Sequence, residues 1–594
     1  MAVYKAPVRD MKFVLHDLFE SDRRFAELGY DEATPDLVDA ILDEGAKFCE
    51  NVIFPTNRPG DRQGARHEHG RVRTPDGFRE AYQALTEGGW MALAADPADG
   101  GQGLPGALAM CFEEMLQSSN MAFALYPGLT RGACVALHAH GSERLRRDYL
   151  PRMVSGEWTG VMCLTEPHCG TDLGLLRTRA EARDDGTYAV RGTKIFITGG
   201  EHDLTENTVH LVLARLADAP PGVKGISMFV VPKRLLRDDG SLGDGNGVQC
   251  ASIEHKMGIR GSATCVMNYE DAVGYLVGEP NRGLACMFSM MNHERLLVGQ
   301  QGLAQAEVAY QSAVAYARER VQGRALNPAR RTGKAADPII VHPDVRRMLL
   351  TARANNEAAR ALLVWAALLV DSAERHPDAA ERERAADLTA LLTPVIKAHV
   401  TDYGFDACNL CLQVFGGHGY IAEWGMEQLV RDARIAQIYE GANGIHALDL
   451  VGRKLPMHDG RLMRRYLETL DAFCDESASD AALSEFSVPL KAAAGRLRDA
   501  TAWVNAAVAR DPDETGACSY DYLRLVALTA FAYMWARSAK VALAKLEGDN
   551  SGFYRDKLTL ARFYMKRLLP HTRSLTDTLA AGADTLMELE AEAF

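Results

Sequence analysis

Between about residue 158 and residue 283 the apolar residues stop recurring every three or four positions and gather into short runs. Five runs are legible: 188–198, 209–216, 225–231, 248–253 and 263–269. Each is rich in β-branched or aromatic residues. Turn-forming clusters such as Gly199-Gly200 and Asp238-Asp239-Gly240 separate them, which is the signature of strands joined by tight connections. No helical pattern is interleaved, so an antiparallel β domain is expected rather than a parallel sheet with crossover helices. On both sides of this block the pattern is helical. A helical–β–helical order in 594 residues exceeds one core and requires several domains.

Upstream, apolar residues fall at helical spacing over 37–42 and 107–116. Downstream, long helices are expected over 287–320, 345–370 and 385–415, with Pro394 kinking or dividing the third. From about residue 456 a further helical block runs to the end. It is Ala-rich over 492–507 and 523–546, as in a compact bundle. Four domains follow: helical 1–157, β 158–283, a helical bundle 284–455 and a helical extension 456–594.

Several function classes are disfavoured. The formal charge of −13 argues against a nucleic-acid binder, which needs a basic field. Twelve scattered cysteines fit a reducing compartment. The first residues lack the apolar core of a secretory signal, and the longest apolar run, 361–370, is too short for a bilayer. A cytoplasmic protein is expected. Gly101, Gly103 and Gly106 spell a G-x-G-x-x-G, but no strand precedes it and Pro105 interrupts it. A glycine-rich turn opening the next helix is the better reading. Cys408 and Cys411 form a C-x-x-C without a second ligand pair, so no metal site is expected. The paired histidines His67/His69 and His138/His140 read as surface or packing residues.

Four stretches carry chemistry. Cys163-Leu164-Thr165-Glu166-Pro167-His168-Cys169-Gly170-Thr171-Asp172 opens the β domain with hydroxyls and small residues that let a polar ring edge or phosphate approach. Phe196-Ile197-Thr198-Gly199-Gly200 ends a strand. Gln413-Val414-Phe415-Gly416-Gly417-His418-Gly419-Tyr420 breaks the third long helix with three glycines in four positions. Ile438-Tyr439-Glu440-Gly441 places a carboxylate at a helix-to-helix junction, where a short loop can present it to a cleft. Taken alone, each has an ordinary structural reading: a loop, a hairpin cap, a helix terminator, a solvated helix end.

Taken together and in this order, the stretches resemble the acyl-CoA dehydrogenases over the whole chain. Cys163 to Pro167 resembles the first family signature, and Gln413 to Asp432 most of the second. The long C-terminal block, the opening Tyr4-Lys5-Ala6-Pro7-Val8-Arg9-Asp10 and the closing Met587-Glu588-Leu589 are similar to a longer branch of that family. Departures are Cys169, Leu175, Gln428, Ala442 and Gly444, where the family patterns carry other residues.

The resemblance implies an α+β multi-domain fold with FAD held between the β domain and the bundle. It implies that Leu164, Thr165 and Thr171 contact the flavin, and that Phe196 and Thr198 flank its ring. Gln413, Gly416, Gly417, Arg320 and Gln322 would approach the pyrophosphate and adenosine half from a neighbouring subunit. Arg295 would lie near the acyl-CoA, unless it pairs with Glu294 or Asp432, and Thr171 and Gly441 would face substrate. Glu440 would be the base that removes the α-proton. The implied reaction is α,β-dehydrogenation of an acyl-CoA thioester. 3-(Methylthio)propanoyl-CoA is the first substrate, with medium- or long-chain fatty acyl-CoA as the alternative. Electrons would pass to electron-transfer flavoprotein. An oxidase or a non-catalytic acyl-CoA-binding protein are the competing readings. The extension implies a homodimer.

Overall fold

The computed structural model describes residues 2–594, which fold as two compact units. One holds the residues up to 46 together with 105–114 and 298–594, and the other holds 47–104 and 115–297.

In the second unit, seven strands form one sheet: β1 (Thr159–Cys163), β2 (Arg179–Ala182), β3 (Tyr188–Thr198), β4 (Thr208–Leu216), β5 (Ile226–Pro232), β6 (Val248–Ile253) and β7 (Thr264–Val277). The order is β6-β7-β3-β2-β4-β1, with β5 bridging β7 and β4. The ring β7-β3-β2-β4-β5 therefore closes on itself, which leaves no long open edge to aggregate. Most pairings are antiparallel, but β1 and β2 each run parallel to β4. Strand β7 serves two neighbours in turn, β3 along its first part and β5 along its last. Register shifts at Cys265/Met267 and Tyr269/Ala272 bend it between them.

Alternation along β4 explains why the strand is buried on both faces. Val212 and Ala214 join Phe229, Val231, Cys265 and Tyr269 in one apolar cluster. Val209, Leu211 and Leu213 join Met228, Val230 and the helical residues Ala133, Leu137, Met153 and Met290 in another. The helical residues come chiefly from Met121–His140 and Glu143–Val154. A strand covered by strands on one side and helices on the other reads as a continuous apolar run.

The first unit is helical. Its principal elements are α1 (Gly106–Ser119), α2 (Gly283–Glu319), α3 (Pro343–Arg375), α4 (Ala379–Val414), α5 (Met426–Arg434), α6 (Asn443–Asp449), α7 (Arg461–Glu476), α8 (Ser484–Arg510), α9 (Glu514–Ala544) and α10 (Phe553–Phe563), of which α1 and α2 contribute residues 106–114 and 298–319 here. Pro394 lies inside α4, and the helix runs through it undivided. Packing along α3 outweighs the one backbone bond that the proline forfeits. At the start of α1 the Asp371 carboxylate of α3 accepts from the N–H groups of Gly106 (3.0 Å) and Ala107 (3.1 Å). The helix terminus that the G-x-G-x-x-G spelling offered is thus filled by the chain's own anion.

A buried set of charges ties the N-terminal segment and the C-terminal extension to this bundle. Arg360 donates to Asp10 (2.5 Å), to Glu114 (2.6 Å) and to Glu307 (3.2 Å). Lys557, on α10 of the extension, donates to Asp10 and to Glu357 (2.6 Å). Burial pushes the Glu114 carboxyl up to about 7, and Arg360 opposes the rise. For Asp10 the balance goes the other way. Burial alone would raise it, but Lys557 and Arg360 together hold it below the usual carboxylate range. Removing one partner from such a group leaves uncompensated buried charge. Lys557→Met is therefore expected to cost about 3–5 kcal/mol, read as a lower urea midpoint at an unchanged slope. Adding Asp10→Asn and Glu357→Gln should recover part of that loss.

Candidate active site

In the helical unit, α5 ends at Arg434 and passes through a 3-10 turn, Ile435–Gln437, before α6 opens at Asn443. Glu440 and Gly441 lie in the gap, and both are left-handed, at φ +56° and +91°. A non-glycine residue in this region costs of order 1–3 kcal/mol and persists only where its surroundings hold it.

Here the surroundings are two buried donors. His446, at the second turn of α6, donates from Nε2 to the Glu440 carbonyl at 3.0 Å. A carbonyl can only accept, so Nε2 carries the hydrogen. Lys397, fully buried on α4, donates to the Gly441 carbonyl at 2.6 Å and to Asn443 Oδ1 at 2.9 Å. Asn443 in turn directs Nδ2 at Ala398 O, Thr401 Oγ1 and Asp402 Oδ1, at 3.0, 2.9 and 2.7 Å. Both carbonyls of the dipeptide are thus held by buried donors. A trans peptide sets N–H opposite C=O, so the N–H groups of Gly441 and Ala442 face the other way. The Glu440 side chain itself is half-buried.

A second cluster in this unit surrounds the end of α4. Gly416 (φ +58°) and Gly417 are exposed, and a Cβ on either would meet nothing within 4 Å. The Tyr316 ring stacks on Phe415 at 4.2 Å, and its hydroxyl lies 3.1 Å from His418 Nδ1. Trp424 stacks on His418 at 4.5 Å. These rings fix the glycine loop against the end of α2, which continues into Arg320 and Gln322. Their segment is pinned by Ile339 N–H to Arg320 O and by Gln322 N–H to Asp337 O. Arg320, Gln322, Gln413, Gly416 and Gly417 are all exposed.

In the β unit, Leu164 and Thr165 follow β1. Lys194 Nζ donates to Leu164 O (2.9 Å) and to Glu166 Oε1 (2.8 Å). Glu166 also accepts from Thr178 Oγ1 (2.5 Å), Thr178 N (3.0 Å) and Arg177 N (2.8 Å). Burial alone would raise the Glu166 carboxyl, but the Lys194 charge and these bonds hold it below the usual range. The donor atoms of Glu166, His168 and Cys169 lie within 4.8 Å of one another, yet the carboxylate is committed to these partners. On β3 the register slips between Ile197 and Lys194, and Phe196 there takes φ +58°. This bulge turns Phe196 out of the ladder, leaving the residue 58% exposed. Thr165 and Thr198 are half-buried and Thr171 is exposed, and their hydroxyls have no hydrogen-bond partner among the described residues. Arg295 Nη1 donates to Asn292 (3.2 Å), and its guanidinium sits 5.8 Å from the Phe288 ring centre.

Family profiles match the chain in four consecutive blocks. They are the acyl-CoA dehydrogenase N-terminal domain over residues 37–157, the middle domain over 161–272, the C-terminal domain over 281–455, and an acetyl-CoA dehydrogenase C-terminal-like domain over 466–590. A 3-methylmercaptopropionyl-CoA dehydrogenase of Ruegeria pomeroyi is 42% identical over 588 residues, covering 97% of this chain and 98% of its own. The chain belongs to the acyl-CoA dehydrogenase family. The broad-specificity linear acyl-CoA dehydrogenase FadE5 of Mycobacterium tuberculosis is 32% identical over the full length of both chains. Among solved structures, Caenorhabditis elegans ACDH-11 in complex with C11-CoA superposes with a TM-score of 0.80 at 18% identity, covering 99% of this chain and 96% of that one. An acyl-CoA dehydrogenase of Bacillus anthracis complexed with FAD gives 0.75 at 21% identity, over 93% and 89%. These two share the fold.

An acyl-CoA dehydrogenase is an FAD enzyme acting on acyl-CoA thioesters. The residues of this chain fit that cofactor. In the β unit the exposed Phe196 shares a strand with Thr198, and the hydroxyls of Thr165, Thr171 and Thr198 have no hydrogen-bond partner among the described residues. A glycine loop open to backbone approach stands beside an exposed arginine and glutamine in the helical one. Lys194, Lys397, His446 and the bulge at Phe196 escape a reading of the sequence. The one signal for them is a lysine inside an otherwise apolar stretch, as in Ile-Lys-Ala at 396–398.

Gly441 combines φ +91° with a Cβ position 3.0 Å from His446 Nε2. Gly441→Ala is expected to cost about 1–2 kcal/mol from the backbone alone and to lower turnover more than tenfold by displacing the turn. Urea unfolding and steady-state assays on one preparation measure both.

Proposed function

We propose that this acyl-CoA dehydrogenase oxidises 3-(methylthio)propanoyl-CoA to 3-(methylthio)acryloyl-CoA, with Glu440 as the base. The substrate reading rests on the nearly full-length similarity to the Ruegeria pomeroyi enzyme. The reading of Glu440 rests on its backbone. A carboxylate held left-handed by two buried donors, and only half-buried itself, is an expensive arrangement for a surface helix end.

The α C–H of a thioester is a weak acid, so its removal needs a positioned base and a donor at the thioester oxygen. Glu440 accepts the α-proton. Its own backbone N–H supplies a hydrogen bond to the developing charge on oxygen. Closure of substrate over the carboxylate strips water from it and raises its basicity. FAD, when bound, supplies the acceptor for the β-hydride. In the β unit, Leu164, Thr165, Thr171, Phe196 and Thr198 would hold the flavin. In the helical unit, Arg320, Gln322, Gln413, Gly416 and Gly417 would hold its pyrophosphate and adenosine half. Arg295, Thr171 and Gly441 would contact the acyl-CoA.

Electron-transfer flavoprotein is the proposed acceptor and a homodimer the proposed assembly. No described helix is long and apolar enough to cross a membrane. All twelve cysteines are buried and no disulfide joins them, which supports the cytoplasm as the compartment.

Glu440→Gln keeps shape and hydrogen bonding but cannot take a proton. It is expected to purify yellow, bind acyl-CoA and lose on the order of 10³-fold or more in kcat, within the range of general-base loss. Wild-type turnover by this variant would refute the base. For substrate, anaerobic flavin bleaching across a thioester panel should be fastest with 3-(methylthio)propanoyl-CoA. Bleaching by straight-chain thioesters alone would favour the activity that FadE5 is named for.

A further inference from the structure

One side chain, Asp402, links the helical extension to the turn that carries Glu440. Asp402 on α4 accepts at Oδ1 from Gln437 Nε2 (2.7 Å) and from Asn443 Nδ2 (2.7 Å). Gln437 lies three residues before Glu440 and Asn443 three residues after it, so a single carboxylate oxygen clasps both ends of the turn. The other oxygen, Oδ2, accepts from the hydroxyl of Tyr520, on the first turns of α9 in the extension. Asn443 passes the constraint on. Its Oδ1 accepts from Lys397, which holds the Gly441 carbonyl.

We propose that Tyr520 is a positioning residue for the base: its bond to Asp402 fixes the carboxylate plane so that Oδ1 meets Gln437 and Asn443 together, and thereby sets where Glu440 points. The proposal deepens the reading of Glu440 as base and rests on it.

Two features separate this role from ordinary stabilisation. Tyr520 is 39% exposed and its bond to Asp402 lies at the surface, where a hydrogen bond adds little net stability. Its acceptor, by contrast, sits at the one place where both flanks of a left-handed turn converge. A displacement there shifts the base, and positioning errors near 1 Å cost up to about a hundredfold in rate. The effect of the hydroxyl should therefore fall on the chemical step and not on folding. Arg524, one turn along α9, adds a positive charge near Asp402 and Asp406 on the same face.

The test uses the full-length FAD-loaded enzyme. Tyr520→Phe is expected to keep its flavin content, its Tm within a few degrees and its KM within about twofold, while kcat falls about tenfold. The kinetic isotope effect on α-deuterated substrate should rise, because proton removal becomes slower relative to the other steps. Asp402→Asn should show the same pattern. The double variant Tyr520→Phe/Asp402→Asn should be no slower than the slower single variant, since both act along one route. Tyr522→Phe is the control. Tyr522 is buried within the extension and shares a 2.8 Å bond with Thr501, so its loss should lower Tm and leave kcat unchanged.

A Tyr520→Phe enzyme with wild-type kcat and isotope effect overturns the proposal. So does one whose kcat falls only together with flavin content and Tm. Glu440→Gln, assayed in parallel, separates the two failures. If that variant is inactive while Tyr520→Phe is normal, the base stands and the relay falls. If Glu440→Gln turns over, the base reading itself has failed.

Discussion

A lysine side chain buried against a backbone carbonyl holds the turn that carries Glu440. Lys397 could not stay buried without acceptors, because a desolvated charge is costly unless it is bonded. It finds them in Gly441 O and Asn443 Oδ1. The same contacts force the chain to reverse within a few residues. That requires Glu440 and Gly441 to go left-handed, and glycine follows the glutamate because only glycine takes the second position without steric cost. Helix α4 is the platform for all of this. Lys397, Ala398, Thr401 and Asp402 occupy little more than one turn of it, and each contributes an atom to the clamp.

The β unit uses the same device in a different setting. Lys194, buried on β3, reaches Glu166 and Leu164 O and so secures the loop after β1 to the strand whose bulge exposes Phe196. Ile195 N–H adds a bond to Thr165 O across the same gap. In each unit a buried lysine converts a flexible loop into a fixed presenting surface. The Lys194–Glu166 pair gains little net stability, since desolvation cancels most of the attraction. What each secures is geometry, and a flavin enzyme needs geometry because proton and hydride must leave neighbouring carbons.

The sequence was legible where structure is local. The strand runs, the long helices and the helical extension all follow from periodicity, because burial of one face imprints a repeat on the chain. Pro394 does not divide α4, because its local cost is real but smaller than the packing of α3 on α4. The G-x-G-x-x-G was rightly set aside, yet nothing local showed that Asp371, some 265 positions downstream, meets its helix terminus. Glu440 was visible only through the company of other motifs. The clamp was invisible, since Lys397 to Gly441 spans 44 positions and Tyr520 to Asp402 spans 118. Pairings of that length leave no periodic trace.

The extension then needs a reason beyond bulk. Its buried lysine, Lys557, pairs with Asp10 and Glu357, so the extension contributes to the charge balance of the N-terminal segment. Its Trp535 donates to Ala354 O, which seats α9 on α3. With α9 fixed in this way by buried contacts along its length, its exposed first turns become a rigid arm rather than a loose end. Tyr520 sits on that arm. A hydroxyl at the surface could not orient Asp402 if the helix bearing it were free to shift. The buried charges around Lys557 and the Trp535 contact thus help fix the helix from which a partly exposed tyrosine acts on the turn of Glu440.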